Sequence, residues 1–250
     1  IMLNFGAVDW KAEVYVNGHK AGEHTGGYTP FSFDITDLLA RRGRNTLRVK
    51  VSDRTDNWFQ ARGKQVSEPG GIWYTSVTGI WQTVWMEPVP ESHVRSYHAQ
   101  ADIDASVVTI SVDAVLSEDD ACEVVLLENG NVINKGRGTE VTLDVPQMRL
   151  WTPDSPQLYD IEVNIVRDGI IIDHVDGYAA MREISCKTDA DGHKRMCLNG
   201  EPLFQYGPLD QGWWPDGLYT APSDEALAFD IRKTKDFGFN LIRKHVKVEP

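Results

Sequence analysis

The chain has 250 residues and 41% apolar content, enough to bury a core as one large domain or two small ones. Its 37 acidic residues outnumber 25 basic ones, for a net charge of -12. No basic run interrupts that acidity, which argues against nucleic acid and anionic membrane as partners. Three cysteines, Cys122, Cys186 and Cys197, lack C-x-x-C spacing, so neither a disulfide framework nor a zinc site is expected. No apolar stretch approaches the roughly 18 residues of a membrane span.

Residues 1 to 88 punctuate as β structure. Val8 to Val16 leads into Asn17-Gly18, a hairpin turn pair in which both positions tolerate positive φ. Phe31 to Ile35 and Leu47 to Val51 alternate apolar with polar, and Gly79 to Glu87 reads as one closing strand carrying Trp81 and Trp85 into the core. Between them, Asn57 to Tyr74 has no period; a loop of that length is usually functional or disordered.

Pro88-Val-Pro90 marks a linker. A second β block, 91–182, has strands over Ala105 to Leu116, Cys122 to Glu128, Val141 to Val145, Leu158 to Val166 and Ile170 to Val175, with turns at Asn129-Gly130 and Asp168-Gly169. Its size suits an immunoglobulin-like sandwich.

The pattern changes after Arg182. Lys194 to Leu198 and Pro202 to Tyr206 read as strands around Asn199-Gly200, and Asp189-Ala-Asp-Gly192 as a plain turn, because it lacks the remaining ligands of a calcium loop. A Gly/Pro and aromatic loop follows to Pro222. Ser223 then caps a helix with Asp224 and Glu225 in its first turn and Gly238 at its stop. In the last strand Phe239, Leu241, Arg243 and His245 alternate, which puts Arg243 and His245 on one side. Strand, helix, strand is a βαβ unit, the start of a (β/α)8 barrel that 183–250 is too short to complete.

Several blocks together resemble glycoside hydrolase family 2, the β-galactosidase, β-glucuronidase and β-mannosidase group. They are Asn4 to Gly18, Gly26 to Thr36 and Gly79 to Trp85 for its sugar-binding jelly roll, Leu150 to Tyr159 for its immunoglobulin-like domain, and Phe239 to Pro250 for its barrel. The resemblance implies a mainly β chain: part of a jelly-roll sugar-binding domain (1–90), an immunoglobulin-like β-sandwich (91–182) and the first βα units of a truncated (β/α)8 barrel (183–250). It implies a piece of a retaining exo-β-glycosidase, most like a β-galactosidase, whose carbohydrate partner is a terminal β-linked sugar. The family's two catalytic glutamates fall later than this chain reaches, so no catalytic residue, metal or cofactor is assigned and the piece is expected to be inactive. The compartment and any oligomer of the full-length parent stay open, since a signal peptide would lie upstream.

The expected substrate-binding residues are Arg243 and His245 on the last strand, Asp210, Gln211, Trp213 and Trp214 on the loop after the first barrel strand, and Trp73, whose loop reaches the barrel mouth in family members. Arginine offers a fixed fork of donors, and tryptophan faces stack on pyranose C–H groups. The family pattern Arg-x-Ser-His is one residue shorter here, Arg243-Lys-His245. Against these stand plainer readings: a solvated strand face suggested by Lys244 and Lys247, and Trp213 with Trp214 sealing a domain interface. A non-catalytic carbohydrate-binding or scaffold protein is the alternative function.

Overall fold

The computed structural model describes residues 1–249 and divides the chain by contacts into two units, 1–88 with 205–250, and 89–204. The sequence reading placed 183–250 in the barrel; by contacts the strands Ile184–Thr188, Lys194–Leu198 and Glu201–Pro202 group with 89–204 instead. The chain is mainly β, with one α-helix, Asp224–Asp236, among the described residues.

In the first unit, Lys11–Val16 pairs antiparallel with His19–Thr25 and Leu47–Ser52, and Met2–Phe5 pairs with Phe31–Asp34 and Val84–Glu87. Alternation turns Ala12, Val14 and Val16 inward against Leu3, Phe5, Val8 and Ile35, which form the core. Asn17 and Gly18 both take positive φ, the geometry of a two-residue hairpin turn. Gly22 lies so close to the Phe33 ring that a Cβ there would fall 2.2 Å from it.

Gly79 to Glu87 is two strands rather than one, Gly79–Ile80 and Val84–Glu87. The chain breaks pairing between them to sink Trp81 into a second small core with Ala7 and Tyr219, while Trp85 stands exposed. Trp81 is therefore core and Trp85 is not. The strand expected over Pro202 to Tyr206 is confined to Glu201–Pro202, which pairs with Lys194–Leu198, and it is Leu209–Asp210 that pairs parallel with Arg243–Lys244.

The second unit is a β-sandwich. One sheet orders Glu140–Asp144, Val107–Val115 and His93–Asp102; the other orders Asn131–Arg137, Asp120–Glu128, Tyr159–Arg167 and Ile170–Ala179. Val108, Ile110, Val124, Leu126, Ile161, Val163 and Ile165 pack between them. Asn129-Gly130 and Asp168-Gly169 both turn with positive φ. Asp189 accepts from the backbone N–H of Asp191 and His193 and pairs with Arg195, the bonding of a closed turn.

Candidate functional site

Within the first unit, Leu209–Asp210 and Arg243–Lys244 run parallel, with the helix Asp224–Asp236 between them in sequence. The helix starts where Ser223 Oγ accepts from Ala226 N, and Glu225 and Lys235 sit at the ends that suit their charges. Parallel pairing puts Asp210 and Lys244 on one face of the ribbon, where they line a cleft of about 630 Å³ with Trp214, Leu227 and Ile231. Period two then sends Arg243 and His245 to the opposite face. The expected residues are thus split between two faces: Arg243, exposed, and His245, half-buried, stand away from Asp210.

Both Asp210 oxygens have partners, Oδ1 from Gly212 N at 2.7 Å and Oδ2 from Lys244 Nζ at 2.8 Å. Partial burial works against this carboxylate, but the Lys244 and Gly212 bonds outweigh it and hold its pKa below the ordinary value. Lys244 mirrors it: burial pulls its pKa down, yet Asp210 and Glu249 raise it on balance.

Trp213 is occupied by other rings. Tyr74 stacks on it with centroids 4.5 Å apart, and Tyr219 meets it edge-on at 4.8 Å. It still lines a second cleft of about 470 Å³ with Asp210, Gln211 and Tyr74. Trp73 is exposed, next to Tyr74 rather than stacked in its place. Two buried polar atoms in this region, Gln211 Oε1 and Trp214 Nε1, have no hydrogen-bond partner among the described residues.

Behind the loop 211–220 lies a polar–aromatic cluster for which the sequence offered almost no signal. Tyr28 and Tyr219 share a hydroxyl–hydroxyl bond of 2.6 Å, and Trp81 Nε1 donates to Gly27 O at 2.7 Å. Asp9, 2% exposed, accepts from Gln65 Nε2 at 2.9 Å, and Gln65 Oε1 accepts from Val77 N. Burial pushes the Asp9 carboxyl up to about 6, against the opposing Gln65 bond and with some help from Asp53. Burial likewise raises the Tyr219 phenol. Lys247, expected at a solvated face, is 4% exposed and inserted among these rings. Among the described residues no group of three or more His, Cys, Asp or Glu is arranged to hold a metal ion.

The chain thus joins a unit of short antiparallel sheets, a β-sandwich and a βαβ segment, a modular, mainly β class of protein. The profile described as "Glycosyl hydrolase 2 galactose-binding domain-like" matches residues 1–98, and "Glycosyl hydrolases family 2" matches residues 82–182. The chain belongs to glycoside hydrolase family 2. It is 28% identical over 271 residues to a β-galactosidase of Thermoanaerobacter pseudethanolicus, covering 97% of this chain and 33% of that protein. It is 29% identical over 256 residues to a putative β-glucuronidase of Formosa agariphila, covering 96% of this chain and 23% of the other. The chain therefore spans a third or less of these two relatives. Among solved structures, a β-glucuronidase from Ruminococcus gnavus in complex with D-glucuronic acid superposes with a TM-score of 0.79 at 21% identity, over 96% of this chain and 42% of that one, a likeness of fold.

Proposed function

We propose that the chain is part of a retaining exo-β-glycosidase acting on a terminal β-linked sugar, β-galactoside in preference to β-glucuronide. In this reading residues 1–250 supply the wall of the substrate site and not its catalytic carboxylates. The observation that carries it is the parallel pairing of Leu209–Asp210 with Arg243–Lys244 across a helix, following two β domains of this family. Parallel strands joined through a helix are how such barrels bring polar groups to one end.

Retaining hydrolysis needs two carboxyl groups about 5 Å apart, one a nucleophile and one an acid. The acids beside the strand ends are instead committed to lysines, Asp210 to Lys244 and Glu249 to Lys244 and Lys247. A carboxylate held ionised by an ammonium is a poor general acid. Substrate contact falls to Arg243 and His245 on one face, to Gln211 with its unpaired Oε1 and Trp214 with its unpaired Nε1, to Asp210 and Trp213 around the clefts, and to Trp73, which stands exposed beside Tyr74. Because Lys244 and Lys247 are each matched by a carboxylate and the chain carries a net charge of -12, a neutral sugar fits better than a uronate.

The test is hydrolysis of nitrophenyl β-galactoside, β-glucuronide and β-mannoside by the 250-residue chain, with calorimetry on the free sugars. No turnover is expected, and galactose binding no tighter than about 1 mM, about 4 kcal/mol. Turnover by this chain would remove the assignment of catalysis to residues outside it. Tighter binding of glucuronic acid than of galactose would overturn the substrate preference.

A further inference from the structure

The Lys247 ammonium has three N–H donors and meets two backbone carbonyls by hydrogen bonds and one carboxylate by an ion pair. It donates to Gly212 O at 2.9 Å and Tyr219 O at 2.6 Å and pairs with Glu249 Oε1 at 2.8 Å. It also lies 5.1 Å from the Trp81 ring centroid and 4.9 Å from that of Tyr219. Gly212 and Tyr219 bracket the loop after the first parallel strand, and the loop is closed internally where Trp214 and Leu218 exchange two backbone hydrogen bonds of 2.8 and 3.0 Å. Gly212 has φ +63°, and a Cβ on it would fall 2.9 Å from Lys247 Cδ, so the turn and the lysine fit only with glycine there. On the far side Thr220 Oγ1 donates to Trp81 O at 2.8 Å, tying the same loop to the 1–88 segment.

Burying an ammonium costs several kcal/mol unless every donor is satisfied, and an apolar side chain of similar length fills the same space without that penalty. Satisfied donors aimed at two carbonyls of one loop fix geometry that packing alone leaves loose. We infer that Lys247 is a positioning residue, clamping the loop 211–220 between the second parallel strand and Trp81 so that Gln211 and Trp214 are presented in one arrangement. Its bearing on substrate rests on the proposed role of those two residues; the clamp itself does not.

The experiment is hydrogen exchange by mass spectrometry on the full chain, comparing wild type, Lys247→Met, Lys247→Arg and Glu249→Gln. Lys247→Met is expected to speed exchange in peptides covering 209–222 by about tenfold or more, while peptides from Cys122–Glu128 and Tyr159–Arg167 keep wild-type protection. Lys247→Arg should restore most of the protection, and indole emission should shift in the Met variant because a cation leaves the Trp81 face. Unchanged protection of 209–222 in Lys247→Met overturns the inference, as does uniform loosening of 1–88 that the arginine fails to rescue. Should the Met variant not fold, Glu249→Gln decides: loosening confined to 209–222 supports the clamp and none refutes it. Saturation-transfer NMR with galactose on wild type reads the other question, since absence of any sugar contact there removes the substrate role while the exchange result stands.

Discussion

Asp9 makes the stability of the first unit depend on pH in an unusual direction. Its carboxyl is 2% exposed and pushed up from the ordinary 3.8 to about 6, so the native state holds the proton more tightly than the unfolded chain does. The stability this contributes is complete below about pH 4, drains away as pH rises to about 6, and is gone above that. At roughly 1.4 kcal/mol per decade of proton affinity, the difference is worth about 3 kcal/mol. Asp9→Asn removes the titration and keeps an oxygen for Gln65 Nε2. Its amide N–H groups, however, occupy the place of Oδ1, which has no donor or acceptor opposite it, and leaving them unpaired costs about 1–3 kcal/mol. At pH 7 the variant is therefore expected to equal wild type or exceed it by up to about 2 kcal/mol, and at about pH 3.5 to be the less stable of the two. Urea unfolding followed by tryptophan emission isolates the right unit, since of the eight tryptophans only Trp151 lies in 89–204. If the two proteins run parallel from about pH 3.5 to 7, the carboxyl is not buried as described and the reasoning fails.

Asp120 in the second unit runs the other way. Its side chain meets Arg167 through two bonds of 2.7 and 3.1 Å, and with help from Ser92 the guanidinium holds it well below the usual carboxylate range. That contribution is present above about pH 4 and lost as pH falls further. Asp120→Asn should lower the midpoint of the 89–204 transition in near-neutral circular dichroism melts and flatten its acid limb. Gly177→Ala should destabilise the same unit by about 1–3 kcal/mol, since the new methyl would fall 2.0 Å from the Tyr97 hydroxyl and displace a ring that accepts from Tyr178 N; urea midpoints measure it. Lys244→Ala should cost the first unit no more than about 1 kcal/mol in urea unfolding, because the Asp210 pair is about a third exposed and screened.

Much of the fold was legible because side-chain period and turn chemistry are local. Val14 and Val16 alternate visibly, and Asn17-Gly18, Asn129-Gly130 and Asp168-Gly169 turned with the positive φ their residues favour. Among the strands left unread, His93–Asp102 and Asn131–Arg137 show where locality ends. A register shift between Val94 and Ser96 breaks the phase of the first. The second lies at the outer edge of its sheet, with Val132 and Ile133 its only large apolar residues. Gly79 to Glu87 misled for the opposite reason: Trp81 and Trp85 keep period two, but Trp81 is pulled toward Ala7 and Tyr219, the latter more than a hundred residues away.

Asp210, Gln211, Trp213 and Trp214, which the sequence singles out, line the two clefts, but how they are arranged was not legible. Alternation gives Arg243 and His245 a common side, but nothing local says that Asp210 pairs with Lys244 across the ribbon, because register between residues 34 apart is set by the helix that joins the strands. Lys247 was the least readable. A lysine flanked by valines near other charges is ordinarily a solvated one, and the signal that it is buried lies in its partners, two carbonyls that carry no side-chain identity at all. What sequence does preserve is the constraint those carbonyls impose on their neighbours. Gly212 must be glycine because the lysine stem occupies the space of its Cβ, so a substitution at 212 and one at 247 should couple rather than add. A Gly212→Ala change is expected to be less damaging in a Lys247→Ala background, where the stem is gone, than alone, and urea midpoints of the four proteins of that cycle test it; strict additivity would mean that the two residues do not meet as the structure places them.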